Sequence, residues 1–365
     1  MPGFIDIHVH MRGLDLSYKE DEESGTKAAA KGGFTLVIDM PNTKPRINSV
    51  EALKRKIDSF EKRSYTDYGV WIALPRDPSE LEKMILSEKV YGVKIYPEDY
   101  ELLEIHRDQL RNKVRRVVIH AEDPETISEE CDKGFRWRCR SVDSEIRAIE
   151  KIYAVLGRRE GVHITHVTNT LTAQVAKSLG YSTDTCPHYI YLDSSHEEKL
   201  GCLAKVNPPL RPGLVKDLLF REAVSENGLI DMFSTDHAPH TLEEKSRDFR
   251  ECPSGIASIE FAGSLLLNLV AREAMSMKTL VEKISLRQAR FLGLERFGCV
   301  NPGCVASYTV VDLDKEFVIR SSDMISRARN TPYENMRVRG YVYATIVRGV
   351  VVYREGDFLE RPLTR

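Results

Sequence analysis

Short apolar, β-rich runs alternate along the chain with longer charged stretches whose apolar positions recur at helical spacing. The short runs fall at 4–10, 34–40, 68–74, 92–96, 117–120, 162–167, around 181–192 and at 230–235. Between most of them lie predicted helices at 21–31, 49–62, 79–87, 141–156, 170–179 and 215–226. Such alternation implies a parallel sheet, because a parallel pair needs a crossover long enough to hold a helix. Eight units predict a closed (β/α)8 barrel of the TIM type. Two further helices, at 256–275 and 279–292, are expected to pack outside it.

After Gly293 the texture changes. Runs rich in β-branched residues at 307–313 and 342–353, punctuated by Gly and Pro, predict a small β-rich C-terminal appendage rather than a ninth barrel unit. The expected division is a barrel over 1–302 and the appendage over 303–365.

The 365 residues are 42% hydrophobic and 30% charged, which suits a folded chain with a full core and excludes a disordered one. Lys plus Arg number 53 against 55 Asp plus Glu, with no long basic block, so the electrostatic footprint of a nucleic-acid binder is missing. The expected partner is a small molecule. Met1-Pro2-Gly3-Phe4 has neither the basic nor the apolar region of a signal peptide, and the longest apolar runs, such as 265–267, fall far short of a membrane span. A cytoplasmic location without a membrane partner is therefore expected. Seven cysteines, at 131, 139, 186, 202, 252, 299 and 304, form no Cys-x-x-Cys pair and are odd in number. Reduced thiols are the expectation, although the high Glu, Lys and Arg content is compatible with a thermophilic source, where intracellular disulfides occur.

The chemistry gathers at strand ends. His8 and His10 close the first run, and residues two apart on a strand point the same way, so both imidazoles can face one metal ion at the barrel mouth. A lone histidine would read as a core residue. His120 ends the fifth run and His166 the sixth, where barrel enzymes keep their ligands. His163 has the opposite parity to His166 and is expected to pack outward or make structural hydrogen bonds. Asp236, after the eighth run, is the candidate general acid/base, able to touch a metal and exchange protons with a nearby water; the alternative is a helix cap. Lys94 lies inside the short apolar run Gly92-Val93-Lys94-Ile95-Tyr96, where a charge is costly. Held neutral, its amine can take up carbon dioxide and become a carboxylate-like bridge between two metals; otherwise it is a lysine paired with an acid. Cys186 and His188, near the end of the seventh run, are ambiguous between the metal site and the core.

These residues resemble the amidohydrolase superfamily and, within it, the dihydroorotases of pyrimidine biosynthesis. PGFIDIHVHMR, SGTKAAAKGGFT, MPNTKP, GVKIYP, IHAED, ITHV, KVNPPLR and STDHAPHTLEEK occur in family order over about residues 2–245. The resemblance implies two Zn2+ ions, with His8, His10 and Asp236 on one, His120 and His166 on the other, and N6-carboxylated Lys94 between them. It also implies that Arg12, Asn42, Asn207 and His240 hold the substrate carboxylate. A forked guanidinium suits Arg12 to that task. The implied reaction is the reversible cyclisation of N-carbamoyl-L-aspartate to L-dihydroorotate, with Asp236 moving the proton. A homo-oligomer or association with a carbamoyltransferase is a further implication.

The chain departs from the family in two places. The usual Arg-Glu-Pro-Gly is Arg12-Gly13-Leu14-Asp15, so the first loop is expected to differ in shape. Many relatives carry a β segment before the position of Met1, so the appendage is expected to be built mainly from C-terminal residues. Hydantoinases, dihydropyrimidinases and allantoinases share the His-x-His, lysine and final Asp, but the Arg12, Asn42 and His240 set favours a ring bearing a carboxylate. A non-catalytic scaffold of the same fold is disfavoured by the presence of all six expected metal-binding positions.

Overall fold

Eight parallel strands lie side by side in chain order in the computed structural model, which describes residues 1–128 and 131–362. They are β1 (Phe4–Val9), β2 (Phe34–Asp39), β3 (Asp67–Ile72), β4 (Val90–Ile95), β5 (Val117–Ile119), β6 (Val162–Ile164), β7 (Ser182–Thr185) and β8 (Met232–Phe233). Every residue of β1, β2 and β3 is buried, as a strand covered on both faces requires. Alternation divides their side chains between two layers. Ile5, Ile7, Leu36, Ile38, Trp71 and Val118 form one cluster, while Phe4, Val37, Val70 and Val93 join another that includes helical residues. Asp21, Ser49 and Asn169 cap the first turns of three crossover helices with side-chain oxygens.

The barrel is nearly closed, and its seam is made by side chains. With only two residues in β8, no regular ladder joins it to β1; a single bridge pairs Val9 with His237, and His10 N–H donates to the His237 carbonyl at 2.7 Å. Below that bridge Gln288 substitutes for a strand. Its Oε1 accepts from Ile7 N–H at 3.1 Å and its Nε2 donates to the Phe233 carbonyl at 2.6 Å. Asp6 Oδ1 accepts from Thr235 N–H at 3.2 Å and His8 N–H at 3.0 Å. Gln288 follows a π-helical turn, Glu282–Leu286, that splits the helix expected over 279–292. Replacing Gln288 with leucine leaves two buried backbone groups unsatisfied, so urea unfolding is expected to show a loss of about 2–4 kcal/mol. A change below about 0.5 kcal/mol would mean the seam is held by other contacts.

Three expectations are corrected. The seventh run is β7 followed by the helix Pro187–Tyr191, because Pro187 has no N–H for a ladder and suits a first helical turn. The 342–353 run is a hairpin. It folds back at Arg348 and Gly349, both at positive φ, between β10 (Arg337–Val347) and β11 (Val350–Arg354). With β9 (Tyr308–Val318) and β12 (Asp357–Phe358) these form an antiparallel sheet in the order β12-β11-β10-β9. Residues 363–365 of the expected appendage lie outside the described residues. The cysteines, third, are not all reduced: Cys131–Cys139, Cys202–Cys252 and Cys299–Cys304 are disulfides, and Cys186 is the free, buried thiol. Loop packing brings each pair to a Cα separation of 5.9–6.3 Å, within bonding range, without any Cys-x-x-Cys spacing. No helix among the described residues is long and apolar enough to cross a membrane.

Candidate active site

The C-terminal ends of the barrel strands bring the candidate ligands together. His8 Nε2 lies 3.2 Å and His10 Nε2 3.0 Å from Asp236 Oδ1, and the three ligand atoms fall within 4.8 Å of one another. The far side of each ring sets its tautomer. His10 Nδ1 meets Asn42 Oδ1, an acceptor, at 2.7 Å and must carry the proton. His8 Nδ1 meets Thr165 Oγ1 at 2.5 Å, and that hydroxyl in turn faces Asp184, so this nitrogen is a donor too. Both Nε2 lone pairs are thereby turned toward Asp236. Burial, with the nearby Lys94 and His166, pushes the charged form of His8 well down, as a metal ligand requires. Asp236 stays ionised below its usual range because contact with His10 outweighs its burial.

His120 and His166 form the second group. Their rings meet edge-on with centroids 4.5 Å apart, and the His166 ring lies 5.1 Å from that of His8. His120 Nε2 donates to Glu122 Oε2 at 2.8 Å, which leaves Nδ1 as its free lone pair. Burial would raise the pKa of Glu122, but Arg140 and His120 hold it down at about 2. Lys94 is fully buried on β4, and its Nζ has no hydrogen-bond partner. It makes no ion pair among the described residues, so the acid-paired reading does not describe it. Burial lowers its pKa to about 7. His166 Nδ1 is likewise buried without a partner. Oriented lone pairs, one carboxylate and two orphaned nitrogens form a donor set that fits divalent ions and an anionic bridge.

Three residues of this region hold backbone conformations that non-glycine residues rarely adopt: Arg12 at φ 53°, His166 at 44° and Asp236 at 46°. The first loop bends sharply, since Gly13 and Leu14 also have positive φ.

A cavity of about 670 Å3 opens over these ligands, walled by Arg12, Asn42, Tyr96, Asn207, His240 and Ser254 among others. Arg12 Nη2 lies 3.1 Å from His240 Nε2, and its Nε donates to the Pro239 carbonyl at 3.2 Å. It is only 6% exposed yet makes no ion pair among the described residues. Asn42 takes a role the sequence did not suggest, since its carbonyl orients His10 while it also lines the cavity. His163 makes the structural hydrogen bonds expected of it, to Asp184 at 2.8 Å and Ser182 at 2.9 Å. Cys186 lies buried 3.5 Å from Ser234 Oγ, and both ring nitrogens of His188 are buried without partners. Tyr96, Glu122, Arg140, Thr165 and Ser254 escaped sequence reading. Glu122 alone carried a signal, two residues beyond His120 in IHAED.

The profile of the amidohydrolase family matches residues 1–352. Curated relatives named dihydroorotase include that of Saccharolobus solfataricus, 36% identical over 357 residues spanning 98% of this chain and 85% of that one. Another is that of Pyrococcus furiosus, 36% identical over 375 residues, 99% of this chain and 83% of that one. Among solved structures, the L-hydantoinase (dihydropyrimidinase) from Arthrobacter aurescens matches with a TM-score of 0.91 at 25% identity, covering 99% of this chain and 86% of that one. The dihydropyrimidinase from Brevibacillus agri NCHU1002 matches at 0.87 and 23% identity, covering 100% and 86%, a likeness of fold alone.

Proposed function

The chain belongs to the amidohydrolase family, among its dihydroorotases, and on that premise we propose that its cavity interconverts N-carbamoyl-L-aspartate and L-dihydroorotate, a step of pyrimidine biosynthesis. The observation that carries this reading is the buried, cavity-lining Arg12 without a carboxylate of the protein to pair with it. An uncompensated buried cation is costly, and a ring carboxylate on the substrate removes that cost by accepting two parallel N–H bonds. Hydantoin and dihydrouracil carry no such group.

His8, His10 and Asp236 would hold one zinc ion and His120 and His166 a second, with carboxylated Lys94 shared between them. Bound there, two divalent ions supply Lewis acidity and a water activated at neutral pH. The remaining work falls to side chains. Arg12, His240 and Asn207 grip the carboxylate and fix the ring over the ligands. Asp236, ionised and within reach of both histidines, takes the proton of the attacking water and delivers it to the departing ring nitrogen. In the biosynthetic direction it removes the ureido proton as that nitrogen closes on the side-chain carboxyl. The neutral fraction of the Lys94 amine, substantial because burial brings its pKa to about 7, is the form that adds carbon dioxide. Residues 1–302 would serve as the catalytic barrel and 303–365 as the appendage. Self-association, or docking with the carbamoyltransferase that makes the substrate, would be compatible with this role.

Zinc-loaded protein assayed on dihydroorotate, hydantoin, dihydrouracil and allantoin should turn over dihydroorotate by a wide margin; equal rates on an uncharged ring would sink the reading. Arg12→Lys keeps the charge but loses the fork, so kcat/KM on dihydroorotate should fall about 30- to 100-fold, roughly 2–3 kcal/mol, at unchanged zinc content. Wild-type-like turnover by that variant would remove the carboxylate clamp.

A further inference from the structure

Asn207 is fixed from behind by donors on two segments that disulfides tie down. Its Oδ1 accepts from Arg136 Nη2 and, at 3.2 Å, from Ser254 Oγ. A guanidinium only donates, so the atom it meets is the carbonyl oxygen and the amide NH2 is turned the other way. That NH2 makes no hydrogen bond with another described residue, and Asn207 lines the cavity.

One donor lies inside a disulfide-closed loop and the other lies two residues beyond a second disulfide. Arg136 lies inside the span closed by Cys131–Cys139. Cys202–Cys252 joins the segment leading to Asn207 with the segment leading to Ser254 across 50 residues. Around this second bond the two segments are laced by buried lysines. Lys205 Nζ donates to the carbonyls of Phe249 at 2.6 Å and Cys252 at 2.8 Å; Lys245 Nζ donates to Cys202 at 2.8 Å and Pro253 at 2.9 Å. Gly255 N–H closes the set on the Lys205 carbonyl at 2.9 Å. The lacing is electrostatically stressed. Burial and the neighbouring Lys205, Arg12 and Arg136 press Lys245 down to about 7, so like charges face one another across the segments that the disulfide joins.

We infer that the Cys202–Cys252 disulfide is a positioning element of the substrate site, holding the two segments in register so that Asn207 presents its NH2 to the substrate carboxylate. This rests on the dihydroorotase reading, and it distinguishes this bond, set two residues before the cavity-lining Ser254 and five before Asn207, from Cys299–Cys304, which has no cavity-lining residue near it in sequence. A staple that served stability alone would leave substrate affinity unchanged once the protein is folded. A positioning bond will not.

The first check is chemical: unfolded, unreduced protein should show one reactive thiol, Cys186, and all seven after reduction. Seven thiols before reduction would overturn the inference. The decisive comparison sets the double variant Cys202→Ser with Cys252→Ser against Cys299→Ser with Cys304→Ser, both below their unfolding temperatures. The first pair should raise KM for dihydroorotate about tenfold or more, the worth of one charge-assisted hydrogen bond, with kcat and zinc content within about twofold. Amide exchange at Lys205 and Gly255 should quicken alongside. The second pair should change none of these. A KM within about twofold of wild type in the first pair, or an equal rise in both, would reduce the bond to a general staple. If the first pair does not fold, KM for dihydroorotate in the folded Cys299→Ser, Cys304→Ser variant before and after mild reduction, read beside exchange at Lys205 and Gly255, decides the same question. Failure of the oxidised wild type to act on dihydroorotate would instead sink the functional reading, and the exchange data would still judge the disulfide.

Discussion

Asp236→Asn is expected to abolish turnover in both directions while leaving the barrel folded. The amide preserves the shape of the carboxylate and its NH2 can donate to an Nε2 lone pair of His8 or His10, so the cluster keeps its geometry. What is lost is the ability to carry a proton. A positioned general acid/base contributes on the order of 100- to 10,000-fold, and no other carboxylate is grouped with His8 and His10 among the described residues. Steady-state rates of ring opening and closure should therefore both fall at least about 100-fold, with zinc content falling less. A variant keeping more than about a tenth of wild-type turnover would require a different base.

The second large effect is expected at Lys94. Two dications close enough to share a water repel each other and need an anion between them, which a free ammonium cannot be. Lys94→Ala should lose metal and activity together, by more than about 100-fold in turnover, since even outer-shell partners of a metal site are worth about 10- to 100-fold. Acetate or propionate should restore part of both by occupying the vacated space as a substitute bridge. Metal-free wild type kept without bicarbonate should regain activity slowly on zinc addition and faster once bicarbonate is supplied. Zinc content that is normal in Lys94→Ala, with no response to short carboxylic acids, would exclude the carbamate.

The barrel was legible because its strands are largely buried and so stand out as apolar runs against charged helices; β1 through β8 each overlap a run read in the sequence. Legibility failed where a segment's conformation is decided by something distant in sequence. The helix Pro187–Tyr191 takes over the seventh run after β7, and the helix Arg107–Asn112 is too short for periodicity to reveal. The candidate ligands announced themselves through parity and strand-end position. Most of their orienting partners did not: Asn42 on His10 and Thr165 on His8 are contacts across strands or loops with no local pattern to betray them, and only Glu122 lies beside its histidine in sequence. The disulfides failed for the same reason, since half-cystines 50 residues apart become partners only through packing of the rim.

The side-chain seam at Gln288 also dictates when the molecule can be finished. Ile7 N–H waits for an acceptor that lies 281 residues further along the chain. At the usual ribosomal pace of about 5–20 residues per second, the first strand emerges roughly 15–55 s before its last partner exists. Throughout that interval β1 offers an unpaired edge on the side that will face β8, four of its six residues being Phe, Ile or Val beside one aspartate and one histidine. The N-terminal strand is thus the first piece made and among the last secured, and the nascent chain's exposure to misassembly is set less by its length than by the position of one glutamine.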